Sequence, residues 1–237
     1  MDLLRIEFLK IKKFNLFLLA VITSLPAISI AIGLYNVVRD KIDSTAIMEV
    51  VFGLSSSVYI GMLLNLLIIY LVCTITKIEN ADNGWRRLLT LPIKRWKIYI
   101  SKIFTIFILI GISLLAFLIF TMLVTVFLGG SINFSILINL ILVFLTTMPI
   151  VLLLFVVARN FISVIAPLVL GLFFLITGFF IVQSDYWIFA PWTYSLVVSS
   201  GTLNNWQLVF VIILSIILSV LIFCLDLIKF TSEDLAV

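Results

Sequence analysis

The residues best suited to chemistry between molecules lie between Lys77 and Lys102. The stretch KIENADNGWRRLLTLPIKRWKIYISK sets Lys77, Arg86, Arg87, Lys94, Arg95, Lys97 and Lys102 against Glu79 and Asp82. This is the chemistry of charge and docking, not of bond making. Trp85, Leu88 and Leu89 recur at i, i+3 and i+4, so they share one face of a short helix, with Arg86 and Arg87 pointing away. Gly84 opens that helix flexibly. Pro92 ends it, because proline lacks the N–H that would continue the ladder and restricts Leu91 before it. Such a helix can seat its apolar anchors in a partner's groove, with bases and Glu79 at the rim. The other reading leaves Trp85 and the leucines in the lipid interface, where Trp is enriched.

Two further groups stand out. In Met1–Lys13, Leu4, Phe8 and Ile11 form one stripe, with Arg5, Lys12 and Lys13 opposite. Glu7 intrudes near the apolar stripe and Leu9 sits on the basic side. The segment reads either as an interfacial helix on the inner leaflet or as a basic flank that orients the first span. The second group is Ser184–Trp206, which carries Tyr186, Trp187, Phe189, Trp192, Tyr194 and Trp206, is broken by Pro191, and has Asp185 as its sole charge. Its rings suit headgroup anchors, or alternatively ligand contacts.

Catalytic constellations are missing. There is no histidine, and the two cysteines, Cys73 and Cys224, fall near the cytoplasmic ends of expected spans, where a structural disulfide does not form. Zinc peptidases and histidine-dependent membrane proteases are therefore excluded. An intramembrane protease is further opposed by the lack of paired acids inside the spans. No G-x-x-x-x-G-K-[ST] loop is present, so the chain binds no cofactor and any ATP–Mg belongs to a separate chain.

The elements that position these groups are spans. Hydrophobic residues make up 64% of the 237 and charged residues 11%, with a mean hydropathy of +1.38, against about a quarter charged in globular domains. The solvent for most of the chain is lipid. Six stretches are long enough to cross ~30 Å of hydrocarbon: Phe14–Asn36, Ser55–Thr76, Ile103–Leu128, Ser135–Ala158, Ser163–Gln183 and Gln207–Ile228. The first reads as an uncleaved anchor. With the N-terminus inside, every Lys and Arg except Arg39 and Lys41 falls on the cytoplasmic side, so both termini are expected inside. Bases beside spans answer to anionic headgroups, and nucleic-acid binding is not expected.

In this reading no Lys or Arg lies inside a span, and Asp226 is the one acid, within reach of Lys229. The neutral polar residues Asn65, Thr121, Thr125, Asn139, Thr146, Thr147 and Thr177 suit hydrogen bonds between helices. Ion-coupled transport wants ionisable groups near the midplane and is disfavoured. The chain reads as one all-α integral membrane domain, 1–237. Within it lie an interfacial helix (1–13), a cytoplasmic loop between spans 2 and 3 (77–102) and an outer segment between spans 5 and 6 (184–206).

The pattern Glu79, Gly84, Leu88-Leu89, Leu91-Pro92, Arg95 and Lys102 resembles the E…GT…LL…LP..R……K signature of permease subunits of ABC-2 type transporters. The short length, basic N-terminus and six spans are similar to the small Gram-positive subgroup, whose members serve lantibiotic immunity, bacitracin resistance or export of phenol-soluble modulins. Trp85 stands where the family often has Thr. The resemblance implies a coupling helix over Glu79–Arg95 that receives the stroke of an ATPase subunit present in two copies. It also implies a second permease, identical or sister, and residence in the bacterial plasma membrane. By the same resemblance the outer segment is re-entrant, with Trp187, Pro191, Trp192 and Tyr194 as an outer gate. An amphipathic antimicrobial or cytolytic peptide is the expected substrate. The alternatives are a lipid-linked or small hydrophobic drug substrate, and a non-transporting membrane sensor or assembly protein.

Overall fold

A computed structural model of the chain describes residues 7–9, 15–38, 46–80, 94–161 and 163–232. Among these the regular structure is helical, with no strand. Lipid requires this, because a segment crossing hydrocarbon must satisfy its own N–H and C=O groups. The helices are α1 (Leu16–Ile22), α2 (Leu25–Val38), α3 (Ile47–Asn80), α4 (Arg95–Phe127), α5 (Ser135–Asn160), α6 (Ile165–Ile181), α7 (Tyr194–Ser199) and α8 (Asn205–Ser232).

Among the described residues five stretches are long and apolar enough to cross a membrane: Leu16–Val37, α3, α4, α5 and α8. The sixth expected span is shorter than predicted. α6 has 17 residues, which rise about 26 Å. Two boundaries also differ. α3 begins at Ile47, so Ile47–Leu54, expected in an outer loop, is helical. α4 begins at Arg95 instead of Ile103 and runs for 33 residues, about 50 Å against ~30 Å of hydrocarbon. Its first two turns stay helical because Ile98, Tyr99 and Lys102 are buried against neighbouring helices. Lys102 therefore lies inside the helix of a span, contrary to the sequence reading.

Local chemistry shapes each helix. Pro26, in the first turn of α2, cannot donate the hydrogen bond that would make α1 and α2 continuous. Pro149 removes one ladder bond inside α5. α3 contains a π turn at Tyr59–Leu63, and the Asn65 amide donates to the Ile60 and Gly61 carbonyls, both at 3.2 Å. Between α4 and α5, Gly129 adopts φ 80°, a left-handed conformation glycine takes without cost.

Inside a bilayer close packing, not dehydration, holds helices together. α3 is the central helix, with Leu64, Ile68, Leu71 and Val72 fully buried among Ile106, Leu109, Val151 and Phe155 of α4 and α5. α6 approaches α3 so closely that a Cβ on Gly171 would stand 2.4 Å from Ile69 Cγ1. α8 lies outermost and packs chiefly on α5.

Candidate functional site

Two buried ionic clusters hang on the first turns of α4. In the first, Lys102 is fully buried and holds two carboxylates, with Nζ 2.7 Å from Glu79 Oε1 and 3.1 Å from Glu7 Oε1. Glu79 is at the end of α3, and Glu7 is on the N-terminal segment, which is helical over residues 7–9. That segment is also seated by Phe8, whose ring lies 5.6 Å from that of Phe17. A charge in low dielectric persists only when paired, and removing one partner is far costlier than exchanging all of them. Lys102 thus ties together the N-terminal segment, the end of α3 and the start of α4.

The second cluster begins three residues earlier. The Tyr99 hydroxyl donates to Asp226 Oδ2 at 2.8 Å, and Arg159 Nη2 meets Asp226 Oδ1 at 2.6 Å. The Tyr99 ring contacts Phe155, Phe223 and Phe230, and the Arg159 guanidinium lies over Phe230 at 5.3 Å. Around it Arg95 donates to the Thr231 carbonyl, Asn80 to the Phe161 carbonyl and Lys229 to Asn160 Oδ1. α4 is thereby joined at the same end to α5 and α8.

The clusters bear on three readings of the sequence. Glu79, expected at the rim of a partner contact, is 3% exposed and turned onto Lys102. Asp226 binds Arg159 across helices, whereas it was expected beside Lys229. The intrusion of Glu7 on an apolar stripe is accounted for by Lys102. Glu7, Tyr99, Lys102, Arg159 and Asp226 were not among the expected site residues. The interruption at Glu7 and the signature lysine at 102 were the legible signals. Gly84, Trp85, Arg86, Leu88, Leu89, Leu91 and Pro92, and also Leu4, Arg5, Ile11, Lys12 and Lys13, lie outside the described residues.

Deeper in the bundle, the polar residues expected between helices mostly turn inward on their own. Thr121, Thr125, Thr146, Thr147 and Thr177 each donate to a carbonyl three or four residues back. The inter-helix bond is made by other hydroxyls. Tyr59, at the π turn, is 2.6 Å from Ser113, which is 3.2 Å from Thr23 at the α1–α2 break. Phe117 stacks on Tyr59 at 4.2 Å.

At the other end, residues 185–199 form short 3-10 turns, Asp185–Phe189 and Pro191–Thr193, followed by α7. Tyr194, Ser195, Val197 and Val198 are buried, and α7 packs on α5. The Tyr194 hydroxyl donates to the Ile188 carbonyl, and burial pushes its phenol above the ordinary range. Trp192 stacks on Phe174 of α6 with ring centroids 4.5 Å apart. Trp187 and Pro191 are half-buried, and the Thr193 hydroxyl donates to the Trp187 carbonyl at 3.1 Å. Leu196 reaches 3.3 Å from where a Cβ on Gly61 would stand, so α7 rests on the π turn of α3. Tyr186, Phe189 and Trp206 are exposed.

Apolar helices long enough to cross a bilayer, with their buried ions gathered at one end, define a multi-pass helical membrane protein. Among the described residues no group of His, Cys, Asp or Glu could hold a metal ion. Residues 3–178 match the family model for the ABC-2 family transporter protein, and the chain belongs to that family. It is accordingly a transporter permease, a membrane subunit that works with an ABC ATPase carried on a separate chain. No curated protein and no solved structure matches it.

Proposed function

We infer that the chain is the permease of a bacterial plasma-membrane exporter, with six crossings including the short α6, and with both termini cytoplasmic. It pairs with itself or a sister permease and with two ATPase chains, and it moves amphipathic antimicrobial or cytolytic peptides outward. The observation that carries the coupling role is buried Lys102, which pairs with Glu79 across the two stems of the 77–102 segment and with Glu7 of the N-terminal segment.

The proposed coupling runs through that node. An ATPase seated on the segment around Trp85–Leu89 displaces the end of α3 and the start of α4 together, because separating Lys102 from its carboxylates would strand buried charge. Glu7 carries the N-terminal segment along. Tyr99 and Arg159, both on Asp226, extend the motion to α5 and α8. At the far end, α7 leans on Gly61 of the π turn. Displacement of α3 there loosens the outer segment, where Trp187, Pro191, Trp192 and Tyr194 serve as a hydrophobic gate. A peptide substrate is supported by the amphipathic surroundings of that mouth: exposed Tyr186 and Phe189 beside exposed Asp185, its sole acid. The test is to co-express the chain with an ABC ATPase subunit from the same genome and reconstitute the purified complex with a cationic amphipathic peptide. Retention of the ATPase and ATP-dependent peptide movement are the expected results. Loss of the ATPase on purification would overturn the coupling role. ATP turnover indifferent to the peptide would overturn the substrate.

A further inference from the structure

Two apolar grooves in line along α4 make a furrow on the outside of the bundle, against α5 and, at one end, α8. Near its basic end it widens to a groove of ≈ 270 Å³ lined by Ile100, Phe104 and Phe107 of α4, Met148 of α5, and Ser219 and Val220 of α8. On the far side of the Phe107–Phe144 ring contact, 6.1 Å between centroids, lies a second groove of ≈ 190 Å³ at Gly111. The α4 side is one continuous stripe, since its residues recur at three- and four-residue steps from Ile100 to Leu118. Ser219 is the polar residue of the lining, and its hydroxyl is already given to the Ser215 carbonyl at 2.7 Å. A peptide bond or sugar would find no hydrogen-bond partner here, whereas a hydrocarbon chain would lose nothing.

The basic end of the furrow carries a charge. Trp96 and Lys97 lie one turn before Ile100, on either side of the stripe by helical rotation. Both are exposed, and Lys97 Nζ sits 5.6 Å from the Trp96 ring centroid. Indole rings settle at the headgroup level, and a lysine can lay its stem along apolar surface with the ammonium in the interface. From Ile100 to Gly111 the helix rises about 16 Å, close to half of ~30 Å of hydrocarbon, the depth of one leaflet.

We propose that this furrow is a binding site for an anionic phospholipid of the inner leaflet, with an acyl chain along Ile100–Gly111 and the phosphate on Lys97 beside Trp96. The lipid would occupy the outer face of the helix whose inner face carries Tyr99 and Lys102, so headgroup charge would bear on the start of α4. Assignment to the inner leaflet rests on the orientation proposed above, but lipid retention does not.

To test it, the full chain is delipidated in detergent and titrated separately with phosphatidylglycerol and phosphatidylcholine of identical acyl chains. Retained lipid is counted by native mass spectrometry, with helical content checked by circular dichroism. The wild type should retain phosphatidylglycerol preferentially. Lys97→Gln should lose about fivefold of that retention, the worth of one base near a charged headgroup, and leave phosphatidylcholine unchanged. Val220→Trp, which fills the groove from its lipid-exposed rim, should lower retention of both lipids. Lys77→Gln alters an exposed base in the last turn of α3 and should change neither. Equal retention of the two lipids by the wild type would overturn the site. So would a Lys77→Gln loss as large as that of Lys97→Gln, which indicates diffuse surface attraction, or full retention by Val220→Trp.

Discussion

Lys102 is where a single side chain decides most. Its ammonium is fully buried on two acids, so Lys102→Met strands carboxylates in the protein interior, at a cost of about 3–5 kcal/mol for a broken buried pair. Thermal unfolding of the purified chain in detergent should show a clear drop in midpoint. Combining Lys102→Met with Glu7→Gln and Glu79→Gln should restore most of it, because the whole cluster is then neutral. A single variant as stable as the wild type would mean the charges are solvated and not bound to each other. The sequence holds only half of this arrangement. Glu7 is visible as a flaw in an amphipathic pattern, and Lys102 as the last base of a signature. Nothing local in either stretch says that the two meet, since their contact spans 95 positions.

Among the elements, the long helices follow from hydropathy alone, and their ends do not. Lipid compatibility marks where a span could stop, whereas α4 actually starts where Arg95–Lys102 finds protein to pack against. The hydroxyl contact of Tyr59, Ser113 and Thr23 escapes pattern reading for a related reason. It depends on a π turn and on the α1–α2 break at Thr23, and both change which way side chains point. The segment from Ser184 to Trp206 is legible as aromatic and broken by Pro191, but its folding onto α5 and α6 is a tertiary fact. The gate reading predicts that Trp192→Ala, which removes the ring stacked on Phe174, cuts peptide export severalfold, a loss on the scale of one aromatic pair. Surface expression and ATPase association should stay near normal. Export assays with quantified membrane levels decide it: full export at equal expression would leave Trp192 as a lipid anchor.

For the whole molecule, the distribution of charge is the feature that joins sequence to function. Bases crowd one side of the chain in the sequence, and in the fold that side holds both buried ionic clusters, with α4 as their common member. The other end holds residues 185–199, linked to the ionic end through α3 and α5. If the Lys102 node transmits the stroke, a variant that keeps the fold but lacks the charges should lose coupling without losing assembly. The most direct measurement is peptide transported per ATP hydrolysed by the reconstituted permease–ATPase complex carrying Glu7→Gln, Glu79→Gln and Lys102→Met together. We predict normal ATPase association and continuing hydrolysis, with the transport-to-hydrolysis ratio lowered about tenfold, equivalent to about 1.4 kcal/mol of lost coupling. A wild-type ratio in that variant would contradict the account.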